Sequence, residues 1–412
     1  MRKHVLLLAT VLGFMTAAQS QTERKVLFIG IDGVRFDALQ QANTPIMDSL
    51  MNTGLYTYDS WHLGITSSGP SWSTMLTGVW EQKHGVTNNS YTNANYNNYP
   101  YIPTRAKEVD PNLKCVQIIT WNPQDDVANG GYVFNSGWNL SIDAGNHSQG
   151  LVTAGAQIQL LDPDLDFLFL HYDQTDATGH SSGFTGTNPA YINAIENVDG
   201  EIGMVMNYLR ARPNYANEDW LVLCTTDHGG IGLGHGGNTN TERHIWWWAS
   251  GPSVPNMQIT AGDPGSYQLG TLDPALVDDC PVLADIAVTA LHHLIYDDGD
   301  PTVSHPEWDL DGKSWLAAST YVEEIDGQEF EFQIYPNPNE GQFTAVYERT
   351  SDDVSYEIMD MTGKIVESNT ITSGGMGESR IEFDITDLET GMYMLRIQDG
   401  DRVSTRRILK KK

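Results

Sequence analysis

The chain has 412 residues, with 23 Lys plus Arg against 53 Asp plus Glu and a formal net charge of -30 at pH 7. Hydrophobic residues make up 40% and aromatics 10%, which excludes a disordered chain and a multi-span membrane protein, while the length calls for about two or three domains. So negative a field repels phosphate backbones and anionic lipid surfaces, so the chain is not expected to bind nucleic acid as a scaffold.

Residues 1–20 have the three-part layout of a secretory signal peptide: Arg2-Lys3, an apolar run from Val5 to Met15, and small residues ending at Ser20. That run is too short to span a bilayer and no later stretch is longer and as apolar, so no membrane span is expected. From Lys25 onward, short apolar runs alternate with amphipathic segments. Val26 to Ile31, Leu55 to Trp61, Lys114 to Thr120, Leu165 to Tyr172 and Trp220 to Thr226 predict strands, several apolar enough for burial on both faces. Pro45 to Asn52 predicts a short helix and Ser71 to Leu76 a helix start. Ile192, Ile195, Val198, Ile202, Val205 and Leu209 mark one face of a long helix ending before Pro213, and Val282 to Leu294 predicts another. Trp246-Trp247-Trp248 reads as a buried strand. The pattern predicts an α/β domain over residues 25–318, with a mostly parallel central sheet covered by helices on both faces.

An acidic linker is expected over residues 319–329. Beyond it only short alternating runs remain, Phe343 to Tyr347, Val354 to Met359, Arg380 to Ile385 and Met392 to Ile397, separated by turn sequences. They predict a small all-β sandwich over residues 330–412, ending on a basic tail. Three cysteines, Cys115, Cys224 and Cys280, are too few for a disulfide scaffold, though one pair plus an odd thiol is compatible with the sequence.

In sheets of this kind functional groups gather at the carboxyl ends of strands. Asp32 follows the strand Val26 to Ile31, and Asp227-His228 follows Trp220 to Thr226; carboxylate next to imidazole suits a borderline-soft cation such as zinc. Asp176 and His180 stand at i and i+4, which on a helical turn share one face. His235 lies between glycines in Gly234-His235-Gly236-Gly237, where backbone can approach a ligand closely. Ser68 lies in a polar loop leading through Pro70 into a helix, where a hydroxyl would meet an anion held by the helix N-terminus. Ser67 and Ser71 read equally well as helix caps. Asp309-x-Asp311-Gly312 offers too few ligands for calcium and reads as an acidic turn.

The ordered set Asp32, Ser68, Asp176-x-x-Gly-His180, Asp227-His228-Gly and His235-Gly resembles the alkaline phosphatase superfamily, and most resembles its nucleotide pyrophosphatase/phosphodiesterase branch, over roughly residues 25 to 315. The resemblance implies two zinc ions, one held by Asp176, His180 and His235, the other by Asp32, Asp227, His228 and the Ser68 oxygen. It also implies that Ser68 is the nucleophile, passing through a covalent phosphoserine, and that Asn89, in His84-Gly85-Val86-Thr87-Asn88-Asn89, binds the phosphate. Gly69 replaces the aromatic that usually follows the nucleophile in that branch and stacks a nucleobase. Trp72 stands where the sulfatase branch has the Arg of its x-Pro-x-Arg signal, which disfavours a sulfatase. A phosphomonoesterase and a catalytically silent binding protein are the remaining alternatives.

The C-terminal module, with Tyr335-Pro336-Asn337-Pro338, Gly341-x-Phe343, Asp360-Met361-Thr362-Gly363-Lys364 and Leu388-x-x-Gly391-Met392-Tyr393, resembles the sorting domain of the type IX secretion pathway. That resemblance implies passage through the periplasm to the cell surface or medium, with the type IX machinery as partner, while the resemblance of residues 25 to 315 implies a small phosphate ester as substrate.

Overall fold

A computed structural model describes residues 23–121, 123, 137–316, 330, 332–337, 339–360, 365–371, 375–388, 390–400 and 402–411. The expected signal peptide, the linker and parts of two of the expected turn sequences, at 361–364 and 372–374, lie outside the described residues.

Eight strands form one sheet in the order β4-β3-β5-β1-β6-β7-β2-β8. They are β1 Glu23–Ile31, β2 Leu55–Trp61, β3 Lys114–Ile119, β4 Leu140–Asp143, β5 Leu165–Tyr172, β6 Glu218–Thr226, β7 His244–Ser250 and β8 Met257–Ile259. Among the described residues only β7 runs antiparallel to its neighbours. The α/β architecture with a mostly parallel sheet is therefore the observed one.

The alternation of side chains along each strand feeds two cores. In β1, Val26 and Phe28 enter one core while Leu27, Ile29 and Ile31 enter the other. The tryptophan triplet divides likewise: Trp247 packs on the first face and Trp246 and Trp248 on the second, all fully buried. Three consecutive large apolar residues are thus a structural requirement of a strand covered on both sides. The first face is covered by helices Ser68–Thr77, Ile102–Val109 and Asp285–Leu294, the second by Pro45–Asn52, Gln149–Gln159 and Pro189–Arg210.

The helix expected to start at Ser71 begins at Ser68, with Pro70 in its first turn where a missing N–H costs nothing. Cys115, Cys224 and Cys280 are buried and free, so no pair forms. Asp309 and Asp311 flank Lys83 Nζ at 3.0 and 2.6 Å, and Asp311 Oδ2 accepts the Trp80 N–H at 2.9 Å, so these acids are already compensated by protein.

The C-terminal region is a separate all-β unit of two antiparallel sheets, ordered β13-β10-β9 and β12-β11-β14-β15, around its own core of residues such as Phe343, Ile358, Leu395 and Ile408. Its strands are β9 Phe332–Tyr335, β10 Gln342–Arg349, β11 Val354–Asp360, β12 Ile365–Ile371, β13 Gly377–Asp384, β14 Gly391–Asp399 and β15 Arg402–Lys410.

Candidate metal centre and nucleophile

Ile31 of β1 pairs with Tyr172 of β5 and with Thr226 of β6. The residues that follow, Asp32, Asp173 and Asp227, therefore leave three neighbouring strands at one level of the carboxyl edge. Asp227 Oδ1 accepts the N–H groups of Gly33 and His228, both at 2.9 Å. Asp32 Oδ2 accepts the Trp72 indole N–H at 3.0 Å and faces His171 Nε2 at 3.4 Å. Helix Gln174–Ser182 begins just beyond β5 and sets Asp176 and His180 on one face, with His180 Nε2 3.3 Å from Asp176 Oδ2.

The three expected imidazole ligands share one device. Nδ1 of His180, His228 and His235 stands 2.9, 2.8 and 3.0 Å from the backbone carbonyls of Leu233, Gly229 and Thr66 respectively. A carbonyl can only accept, so each neutral ring carries its proton on Nδ1 and keeps a lone pair on Nε2. These Nε2 atoms converge: His180 on His235 at 3.2 Å, His235 on Asp176 Oδ1 at 3.7 Å, and His228 on Asp227 Oδ2 at 3.2 Å and Asp32 Oδ1 at 3.7 Å. Ligand atoms of Asp32, Asp227 and His228 lie within 4.8 Å of one another, as do those of Asp176, His228 and His235. All six expected acids and imidazoles are thus brought together, with His228 shared between the two groups.

The donor set fits a pair of cations. Asp32 Oδ1, Asp176 Oδ1 and Asp227 Oδ2 are buried oxygens without a hydrogen-bond donor among the described residues. Unpaired buried carboxylate oxygens beside outward imidazole lone pairs are costly in a protein alone and are resolved by a bound cation. The same strain shows in the acids' protonation. Burial, reinforced by the charge of Asp32, raises the Asp227 carboxyl well above the usual range, and Asp176 rises for the same two reasons. Burial also pushes Asp32 upward, but the His171 hydrogen bond, the charges of His228 and His171 and the Trp72 indole outweigh it and hold the group at about 2. The hydrogen bond to Asp176 raises His180 to about 9, while burial and the charge of His228 lower His235 to about 4.

Ser68 is the first residue of helix Ser68–Thr77, 5% exposed, with Oγ 3.4 Å from His228 Nε2. Its neighbours are otherwise engaged. Ser71 is fully buried, donates to the Ser67 carbonyl at 2.7 Å and meets His62 Nε2 at 2.9 Å. The helix terminus itself differs from the expected backbone cradle: Pro70 has no N–H, and the Gly69 N–H is donated to Asn89 Oδ1 at 2.8 Å. That bond fixes the Asn89 amide with its NH2 as the remaining donor. A cleft of about 400 Å³ opens over these groups, lined by Asp32, Ser68, Asn89, Asp176, His180 and His235, and further by Trp121, His147, Asp173 and Ala177.

His171, Asp173, His147 and Trp121 were not singled out from the sequence, and Trp72 was noted only as a departure from the sulfatase pattern. Asp173 carried a usable signal, since it follows a buried strand as Asp32 and Asp227 do. The others have no spacing or periodicity that announces them.

The doubly covered sheet has the fold of solved members of the alkaline phosphatase superfamily. It superposes on a superfamily member from Vibrio parahaemolyticus with a TM-score of 0.52 and 12% identity, covering 95% of this chain and 83% of that one. Murine ectonucleotide pyrophosphatase/phosphodiesterase 5 superposes with a TM-score of 0.50 and 16% identity, covering 66% and 95%. Residues 26–241 match the family described as type I phosphodiesterase / nucleotide pyrophosphatase, and the chain belongs to that family. Residues 333–411 match the secretion system C-terminal sorting domain. The chain is 26% identical over 243 residues to human ectonucleotide pyrophosphatase/phosphodiesterase family member 7, covering 54% of this chain and 52% of that protein. It is 23% identical over 241 residues to bovine bis(5'-adenosyl)-triphosphatase ENPP4, covering 55% and 52%. The chain thus spans about half the length of these relatives.

Proposed function

We propose that this protein is a secreted, metal-dependent phosphoester hydrolase of the phosphodiesterase/pyrophosphatase type, with Ser68 as nucleophile. The observation that carries the reading is the convergence of three carboxylate oxygens without a hydrogen-bond donor among the described residues, and of three Nε2 atoms, beside one buried serine hydroxyl. Asp32, Asp227 and His228, with Ser68, would hold one cation and Asp176, His180 and His235 the other; the mixed oxygen and nitrogen donor set suits zinc. Bound there, two such cations would offset the acids, favour ionisation of a nearby hydroxyl and supply positive charge for phosphoryl oxygens.

The chain's own groups divide the remaining work. Ser68 Oγ attacks phosphorus, giving a phosphoserine that water then cleaves. The Asn89 NH2, oriented through Gly69, donates to a phosphoryl oxygen. No lysine or arginine is among the described residues lining the cleft. A site without lysine or arginine favours a singly charged diester over a doubly charged monoester, so the diesterase reading stands above the phosphomonoesterase one. The reading assigns residues 25–318 to catalysis and residues 330–412 to sorting through the type IX machinery, after a signal peptide over residues 1–20 has led the chain to the periplasm. No helix among the described residues is long and apolar enough to cross a membrane.

Purified protein should cleave bis-p-nitrophenyl phosphate faster than p-nitrophenyl phosphate and lose that activity in chelator. Ser68→Ala should lower kcat on the order of 10³-fold or more. An undiminished rate in Ser68→Ala would remove the covalent step.

A further inference from the structure

Every hydroxyl side chain of helix Ser68–Thr77 is buried, and two of them, on Ser73 and Thr74, are bonded to one loop. That loop leaves helix Glu81–His84, carries Asn89 and returns at Tyr96. At its near end, His84 Nδ1 accepts the Val86 N–H at 3.0 Å, so the neutral ring carries its proton on Nε2, which stands 3.0 Å from Thr74 Oγ1. The ring is fully buried, and burial lowers it to about 3, so it stays neutral. At the far end, Ser73 Oγ donates to the Gly69 carbonyl at 2.7 Å. Its one proton is thus committed, so the 2.6 Å bond between Ser73 Oγ and the Tyr96 hydroxyl is donated by the phenol, which in turn accepts from Tyr101 at 3.0 Å. The Asn95 N–H, donated to the His84 carbonyl at 2.8 Å, joins the two ends.

The middle of the loop meets the same helix at the residue after Ser68. Gly69 N–H donates to Asn89 Oδ1 at 2.8 Å, and a Cβ added at Gly69 would lie 2.8 Å from the Asn88 carbonyl oxygen and 3.0 Å from Asn89 Cα. A larger residue at position 69 would therefore displace Asn89. Both sides of Gly69 are engaged, its N–H by Asn89 and its carbonyl by Ser73, to which Tyr96 is bonded. One hydrogen bond at a loop tip exchanges with water at little cost. The bonds at the ends of this loop are buried, and breaking either leaves a donor unpaired where water does not reach. Attachment at Gly69, Ser73 and Thr74 makes loop and helix one rigid body.

Resting on the hydrolase reading above, with Asn89 as its phosphoryl donor, we propose that His84 and Tyr96 are positioning residues. Acting through Thr74 and Ser73, they hold the loop that carries Asn89 against the helix that carries Ser68. The Asn89 amide is thereby set relative to the nucleophile before substrate arrives, and no ordering of the loop is left to be done in the transition state.

The test is a double-mutant cycle. Tyr96→Phe and Thr74→Val each remove one anchor while keeping the side chain's shape, Thr74→Ser keeps the hydroxyl, and the two removals are also combined with Asn89→Ala. On bis-p-nitrophenyl phosphate each removal should lower kcat/KM about tenfold when Asn89 is present and less than about twofold when it is absent, and Thr74→Ser should stay within about twofold of wild type. The inhibition constant of inorganic phosphate should rise at least about fivefold in both removals. Independently of activity, amide hydrogen exchange across residues 85–95 should quicken at least about tenfold in both, with that of β1 unchanged. Equal losses with and without Asn89, or unchanged exchange in the loop, would overturn the positioning role. An Asn89→Ala protein as active as wild type would overturn the phosphoryl-donor assignment and the positioning role with it. Failure of wild type to cleave the diester would instead overturn the hydrolase reading itself.

Discussion

Trp72 shows how a single side chain can decide what a site is. It is fully buried in helix Ser68–Thr77, and its indole N–H reaches the Asp32 carboxylate. It reaches so far because β1 has glycine where the ring passes: a Cβ added at Gly30 would lie 2.4 Å from Trp72 Cη2. Were Asp32 to hold a cation as proposed, a donor bonded to its carboxylate would orient it, and removing such a donor typically changes metal affinity about 10- to 100-fold. Trp72→Phe keeps an aromatic ring and removes the donor, so zinc affinity measured by calorimetry should fall by about 10- to 100-fold with the fold retained. Unchanged affinity would mean that His171 alone orients Asp32. The ligand-type residues were legible in the sequence because Asp32 and Asp227-His228 directly follow apolar runs and because Asp176 and His180 have helical spacing. Trp72 was legible only as a departure from another family's pattern, and its partnership with Asp32 spans 40 positions, a distance at which no local spacing rule operates.

At the scale of elements, helix Asp285–Leu294 is tied through its first residue to the segment around Lys313 and Trp315. Asp285 is 1% exposed; its Oδ2 accepts from Val282 N at 2.9 Å and Trp315 Nε1 at 2.7 Å, and its Oδ1 accepts from Lys313 N at 2.9 Å. Burial nevertheless outweighs these bonds and raises the carboxyl to about 6. A folded-state value above the unfolded one means that the folded chain binds the proton more tightly. The stability contributed is then complete below about pH 4 and is lost as pH rises through about 6, to a limit of about 3 kcal/mol. Chemical denaturation should therefore find a larger gap between wild type and Asp285→Ala at pH 4 than at pH 7; a gap that widens with pH would contradict the burial argument. The strands read correctly from sequence were those with apolar runs or clean alternation. β12 and β15 were missed for a physical reason: both are edge strands of their sheet, β12 is largely solvent-facing and polar, and β15 carries the basic residues that made it look like a tail. The four residues of β4, an edge strand paired only with β3, were too few to show a period.

The whole molecule carries a formal charge of -30, and the described residues lining its cleft include three aspartates and no basic residue other than histidine. An anionic phosphodiester approaching such a body meets repulsion until it is close enough for cations held by the acids to dominate. Salt separates the two regimes, because the Debye length falls from about 30 Å at 0.01 M to about 8 Å at 0.15 M. The long-range field of the chain is screened over that interval, whereas groups in contact within the cleft are screened much less. KM for bis-p-nitrophenyl phosphate should therefore fall as ionic strength rises across this range, by a factor of about 2 to 5, with kcat nearly constant. A doubly charged monoester should gain more than the singly charged diester. Initial rates in a sodium chloride series at fixed metal concentration measure both. A KM that rises with salt would show that bound cations already control the approach at long range, and the negative surface would then govern solubility alone.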